Sequence, residues 1–222
     1  MSKKDQSRDL ILYSFRRCPY AMRARLSIYY SKKSCEIREI SLKNKPSQFI
    51  ELSPKATVPV LEINASHIID ESIDIVKWFL SKNDPYQLLL PYEEDDVEEL
   101  ISLIDKDFKY HLDRYKYSSQ FDISKKFSHR NEAVKVAECI ENKISDSGYI
   151  FGNKISIYEI CILPFVRQFR IADPKWFDEE FHCVKLKSIL YVFINTEAFK
   201  VTMGKYKEWK SNIDSAQYFP NI

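Results

Sequence analysis

Short apolar runs alternate with helical stripes over roughly the first eighty residues, and helical stripes alone follow. Leu10–Tyr13 (LILY) is a continuous apolar run, as expected of a buried strand. Pro19 suits the first turn of a helix, where its missing N–H costs nothing. Met22, Leu26, Tyr29 and Tyr30 then fall on one helical face. Cys35–Ile40 (CEIREI) alternates in part and reads as a second strand. A helix between two strands makes a βαβ unit, whose crossover favours a parallel pair. Residues 45–53 read as a short irregular helix, and Val58–Ile63 as a strand with a proline near its start. Ala65–Ser72 is a brief strand running into a helix that buries Ile73, Val76, Phe79 and Leu80. The order is β-α-β-α-β-β-α, an α/β domain.

Ser81–Asp96 breaks this periodicity with two prolines and ends in four acids, Glu93 to Asp96, which suit a helix N-terminus. From Val97 the apolar positions 97, 100, 101, 104, 108, 112 and 115 make one long helical stripe. Ala133, Ala137, Ile140 and Ile144 make another. Residues 156–170 are apolar nearly all round and predict a buried helix, and residues 184–195 and 196–206 also read as helical. The expected organisation is an α/β domain over 1–82, a linker over 83–96 and an all-α domain over 97–222. Ser156-Ile157-Tyr158-Glu159 fits a capping box, with Ile155 and Ile160 at the staple positions. It reads as a folding device.

Composition narrows the function more than the fold. The 222 residues carry 34 Lys and Arg against 32 Asp and Glu, a net charge of +2, which argues for neither nucleic acid nor a membrane surface as partner. Three glycines leave no room for a Gly-rich phosphate loop. The polar opening residues lack a signal-type apolar stretch, and no apolar run reaches the roughly 18 residues of a membrane span. The five cysteines are odd in number and widely spaced, which fits neither a disulfide framework nor a metal site. A reducing cytoplasm is the expected location.

Cys18 stands out. It sits at a strand-to-helix turn before Pro19, where unpaired N–H groups and the helix dipole favour a thiolate. Arg16, Arg17, Arg23 and Arg25 surround it in sequence. Together these describe a reactive thiol; the alternative is a core cysteine with arginines turned to solvent. Cys35, Cys139, Cys161 and Cys183 read as inert. Position 21, where a dithiol site would hold its second cysteine, is Ala21, so any redox work needs a thiol from solution, and glutathione fits. Val58-Pro59 in a cis bond would offer the Val58 backbone to an extended ligand, whereas a trans proline on an edge strand is the alternative. Glu71 could accept from an α-ammonium and Ser72 hold an α-carboxylate at a helix start, against Ser72 as a plain N-cap.

These residues resemble a family. YSFRRCPYAMRARL, SLKNKPSQF, TVPVLE and DES, in that order and spacing, are similar to the active-site segments of cysteine-type, omega-like cytosolic glutathione transferases. The helical half, with SIYEICILPFVRQF, looks like that of bacterial members. Glu159 stands where the family usually has aspartate, and Met22 where omega proteins often carry an acid. The resemblance implies a thioredoxin-like domain with a mixed four-stranded sheet followed by an all-helical domain. It implies Cys18 as nucleophile, Val58 and cis Pro59 against the cysteinyl part of glutathione, Glu71 and Ser72 at its γ-glutamyl end, and Lys45 at its glycine carboxylate. It further implies glutathione as co-substrate without a metal, thiol transfer with weak conjugation to electrophiles, a homodimer, and an electrophile pocket near the helices starting at Val97 and Ser156. Tyr110, Tyr115, Phe165 and Phe169 are candidates for that pocket by type only, a core role being the alternative. Tyr13 and Ser14 are expected to be structural. A binding or scaffold module without turnover is the alternative function.

Overall fold

The computed structural model describes residues 9–90, 96–211 and 214–221. The described residues form two compact units, one drawn from residues 1–86 and 196–222 and the other from residues 87–195.

The first unit begins β1 (Leu10–Ser14), α1 (Pro19–Tyr30), β2 (Cys35–Glu39), α2 (Ser47–Leu52), β3 (Val60–Ile63), β4 (His67–Ile69) and α3 (Ser72–Lys82). β1 pairs parallel with β2, Leu12 opposite Ile37, as the βαβ crossover requires. β3 lies antiparallel to β1, and β4 antiparallel to β3. The sheet is thus mixed, with both faces covered. Leu12, Ile37 and Leu61 pack with Ala24, Ile28, Ile75 and Phe79 on one face, while Tyr13, Val60, Phe49 and Trp209 pack on the other. Burial on both faces explains why β1 reads as a continuous apolar run rather than an alternating one.

Two features depart from the local patterns. α1 is buried nearly all round, and Arg23 and Arg25 are buried with it, whereas Tyr29 is only half-buried. The stripe of Met22, Leu26, Tyr29 and Tyr30 therefore marks only part of the buried surface. The chain also returns at its end: α10 (Glu197–Thr202) packs on α1, and β5 (Tyr218–Phe219) adds a fifth strand beside β2, Cys35 opposite Phe219. The sheet order is β4-β3-β1-β2-β5. Residues 196–206 read as helical from their own periodicity, but the helix stops at Thr202 and its partners lie in the first unit.

The second unit is helical. α4 (Asp96–Leu103), a π-helical turn at Ile104–Phe108 and α5 (Lys109–Lys116) follow one another along the long stripe read from Val97. Glu93, Glu94 and Asp95 of the acidic run lie outside the described residues. α6 (Lys126–Glu141), α7 (Ile157–Ala172), α8 (Pro174–Glu179) and α9 (Val184–Asn195) complete the unit. The capping box opens α7: the Tyr158 N–H donates to Ser156 Oγ at 3.2 Å, and the Ser156 N–H donates to Glu159 Oε2 at 2.7 Å. Tyr115 and Phe169 join an aromatic cluster with Phe108, Trp176, Phe177 and Phe181. Tyr115, Phe165 and Phe169 are buried core residues, while Tyr110 is exposed beneath the Arg114 guanidinium. Among the described residues no helix is long and apolar enough to cross a membrane.

Candidate active site

The turn between β1 and α1 carries the site. Cys18 occupies the N-cap position in an extended conformation, and Pro19 takes the first helical position. The Cys18 N–H donates to the Phe15 carbonyl at 3.0 Å, which closes the turn, and the Cys18 carbonyl accepts the first helical bond from Met22. The sulfur therefore sits at the positive end of the α1 dipole. It is half-buried, in no disulfide, and packed against the cluster that holds Val58 and Phe49. Its thiol donates to the Val58 carbonyl at 3.6 Å. The Val58–Pro59 bond is cis, as one of the two sequence readings had it.

The four arginines have four different roles. Arg17 is exposed, over the Phe15 ring. Arg23 is fully buried, lies over Tyr20 and donates from Nη1 to Ser72 Oγ at 3.3 Å. Arg25 is fully buried and donates from Nη2 to the Arg16 carbonyl at 2.6 Å. The Arg16 N–H in turn donates to Glu39 Oε1 at 2.6 Å. Burial lowers the Arg25 guanidinium to about 10, with the Glu39 carboxylate and the Cys18 thiolate acting to hold it charged. Burial raises Glu39 above its ordinary range.

At the start of α3, Glu71 holds the cap position and Ser72 is the first helical residue, so Ser72 is not the plain N-cap of the simpler reading. Ser72 is buried and bonded to Arg23. Glu71 is exposed and binds the Lys55 ammonium at 2.7 Å, and Asp70 binds the same ammonium at 3.1 Å. The two carboxylates converge on one cation position, with Ser72 next in the chain. Lys45 sits half-buried in the loop leading into α2 and is tied by a hydrogen bond to none of these groups. Direct bonds thus join Cys18 to Val58, and Ser72 to α1.

Tyr13 and Ser14 are buried at the end of β1. The Tyr13 hydroxyl donates to Glu62 Oε2 at 2.9 Å and accepts from Arg38 Nη1 at 2.7 Å, and burial holds its proton well above the ordinary phenol range. Ser14 is wholly buried. Cys35 and Cys161 are buried, and burial pushes the Cys183 thiol up to about 12. Cys139 is exposed on α6. Lys55 and Glu39 were invisible to sequence reasoning, since neither belongs to a motif or an apolar stripe.

Residues 12–87 match the model of the glutathione S-transferase N-terminal domain. The chain is 29% identical over 167 residues to glutathione S-transferase omega-1 of Rattus norvegicus, a stretch covering 71% of this chain and 66% of that relative. It thus spans just under two thirds of that relative's length. Among solved structures, glutathione transferase Omega 3C from Trametes versicolor superposes with a TM-score of 0.75 at 20% identity, over 93% of this chain and 94% of that one. A glutathione transferase family member from Pseudomonas fluorescens pf-5, with two glutathione bound, gives a TM-score of 0.76 at 14% identity over 91% and 94%. At such identities the likeness is one of fold. Over residues 12–87 the chain thus matches the N-terminal domain of glutathione S-transferases, it is similar to omega-class relatives, and its fold is that of solved glutathione transferases.

Proposed function

We propose that the chain is a cysteine-type, omega-like glutathione transferase that works as a glutathione-dependent thiol transferase, with Cys18 as its nucleophile. The observation that carries this reading is the Cys18 turn: a half-buried sulfur at a helix start, within electrostatic range of a buried guanidinium, with alanine where a second thiol would stand. The Cys18 thiolate attacks the glutathione sulfur of a mixed disulfide R–S–S–G. A new S–S bond forms between Cys18 and the glutathione sulfur, the S–S bond of the substrate breaks, and RS⁻ leaves with that electron pair and takes a proton. The thiolate of a second glutathione then attacks the Cys18-bound glutathione sulfur, releasing oxidised glutathione and the Cys18 thiolate. Small disulfides react in the same way, in two exchanges.

The binding residues follow from the same reading. The Val58 backbone beside Pro59 pairs with the cysteinyl part of glutathione. Glu71 takes the α-ammonium, and Ser72, at the start of α3 and backed by Arg23, takes the α-carboxylate. Lys45 takes the glycine carboxylate. Conjugation to electrophiles is weak, because Cys18 competes with the glutathione sulfur instead of donating an O–H bond to it. The reading places the enzyme in the cytoplasm, as a homodimer. Reduction of β-hydroxyethyl disulfide by glutathione tests it: turnover is expected in the parent chain and lost in Cys18→Ala. Full turnover in that variant refutes it.

A further inference from the structure

A guanidinium taken wholly out of water needs acceptors for its donors. Arg25 is 0% exposed, yet among the described residues its Nε and Nη1 have no hydrogen-bond partner. Its Nη2 is committed to the Arg16 carbonyl at 2.6 Å. Glu39 shows the same pattern: Oε1 accepts the Arg16 N–H at 2.6 Å, while Oε2 is buried without a partner among the described residues. Both bonds to Arg16 are short and charge-assisted, the strong kind. One residue is therefore gripped at its N–H and at its C=O, by a base on α1 and an acid at the end of β2.

Arg16 stands two residues before Cys18, inside the turn closed by the Cys18 N–H on the Phe15 carbonyl. The groups acting on the Arg25 charge are Glu39, Cys18, Tyr206 and Arg16. Coulomb interaction is mutual, so the thiolate that holds Arg25 charged is itself favoured by it. The returning C-terminal segment closes the arrangement, since the Trp209 N–H donates to the Glu39 carbonyl at 2.8 Å. Unfilled donors and a half-filled carboxylate are a poor way to stabilise a core, because two apolar side chains would pack there at less expense.

We propose that Arg25 and Glu39 are positioning residues for the Cys18 thiol: they clamp both peptide groups of Arg16, fix the turn that ends at the sulfur, and set a buried positive charge beside it. The proposal rests on Cys18 being the nucleophile. Its first test needs no turnover. Iodoacetamide alkylation of Cys18 is followed against pH by mass spectrometry of the Cys18 peptide, with thermal denaturation alongside. In Arg25→Met the midpoint moves up, and one pH unit corresponds to a fall of about tenfold in rate near neutral pH. Arg25→Lys, which keeps the charge, brings the midpoint back towards the parent. Glu39→Ala, which frees the Arg16 N–H, lowers kcat for disulfide reduction several-fold more than Glu39→Gln, which keeps an acceptor there. A folded Arg25→Met with the parent midpoint overturns the proposal. If Arg25→Met does not fold, equal kcat in Glu39→Ala and Glu39→Gln overturns it instead. The two claims fail separately: full turnover in Cys18→Ala refutes the nucleophile, whereas an unmoved midpoint refutes the clamp.

Discussion

Removing the Glu159 carboxylate should unfold the start of α7. Glu159 is 0% exposed, and three donors end on it: the Ile150 N–H at 2.8 Å on Oε1, and the Ser156 N–H at 2.7 Å and hydroxyl at 2.6 Å on Oε2. Glu159→Ala strands two backbone N–H groups, each costing about 1–3 kcal/mol when buried without a partner. The Ser156 hydroxyl can turn elsewhere, so the total is about 3 kcal/mol, or roughly 10 °C in Tm for a unit of this size. Ser156→Ala removes the forward half of the box and should cost about 1 kcal/mol. Because the two side chains share bonds, the double variant should lose less than the sum of the singles. Burial also raises the Glu159 carboxyl above its ordinary value. A raised folded value means that the protonated form contributes stability fully below the ordinary carboxylate range, and that this contribution is lost as pH rises through the raised value. Glu159→Gln cannot ionise, so its stability should vary less with pH over that window. Urea denaturation of the four variants across pH measures all of this. A loss under about 1 kcal/mol in Glu159→Ala, or strict additivity with Ser156→Ala, refutes the reasoning.

Two further predictions concern the first unit. Tyr13→Phe removes a hydroxyl bonded to Glu62 and Arg38; it should cost about 1–2 kcal/mol in denaturation and leave disulfide-reduction kcat within about twofold of the parent. A loss of turnover without a loss of stability would return Tyr13 to the chemistry. Lys55→Met empties the cation position that Asp70 and Glu71 share, so glutathione should bind up to a few-fold more tightly by isothermal titration. Weaker binding would show that Lys55 helps to hold the ligand rather than competing with its ammonium.

Much of the first unit was legible because its signals are local. An apolar run, a proline at a helix start and a strand after it specify β1, α1 and β2, and Ser156 with Glu159 marks the start of α7 within four residues. The Cys18 turn was legible for the same reason. The return of residues 196–222 was not, because β5 has two residues and its partner strand starts at Cys35, far away in the chain. Nor were the roles of the arginines: a charged residue inside a helical stripe reads as solvent-facing, yet Arg23 is buried against Ser72, far away in the chain, and Arg25 is buried with one nitrogen on the Arg16 carbonyl. Lys55 belongs to no motif, and only the folded loop brings its ammonium to Asp70 and Glu71.

The most direct test of the account is a single mass measurement on Cys18. The chain is incubated with a glutathionylated peptide and no free glutathione, then digested. A mixed disulfide of glutathione on the Cys18 peptide, discharged when glutathione is added and absent from Cys18→Ala, is the predicted result. Peptide reduction on addition of glutathione with no adduct ever formed at Cys18, and with equal rates in Cys18→Ala, would contradict it.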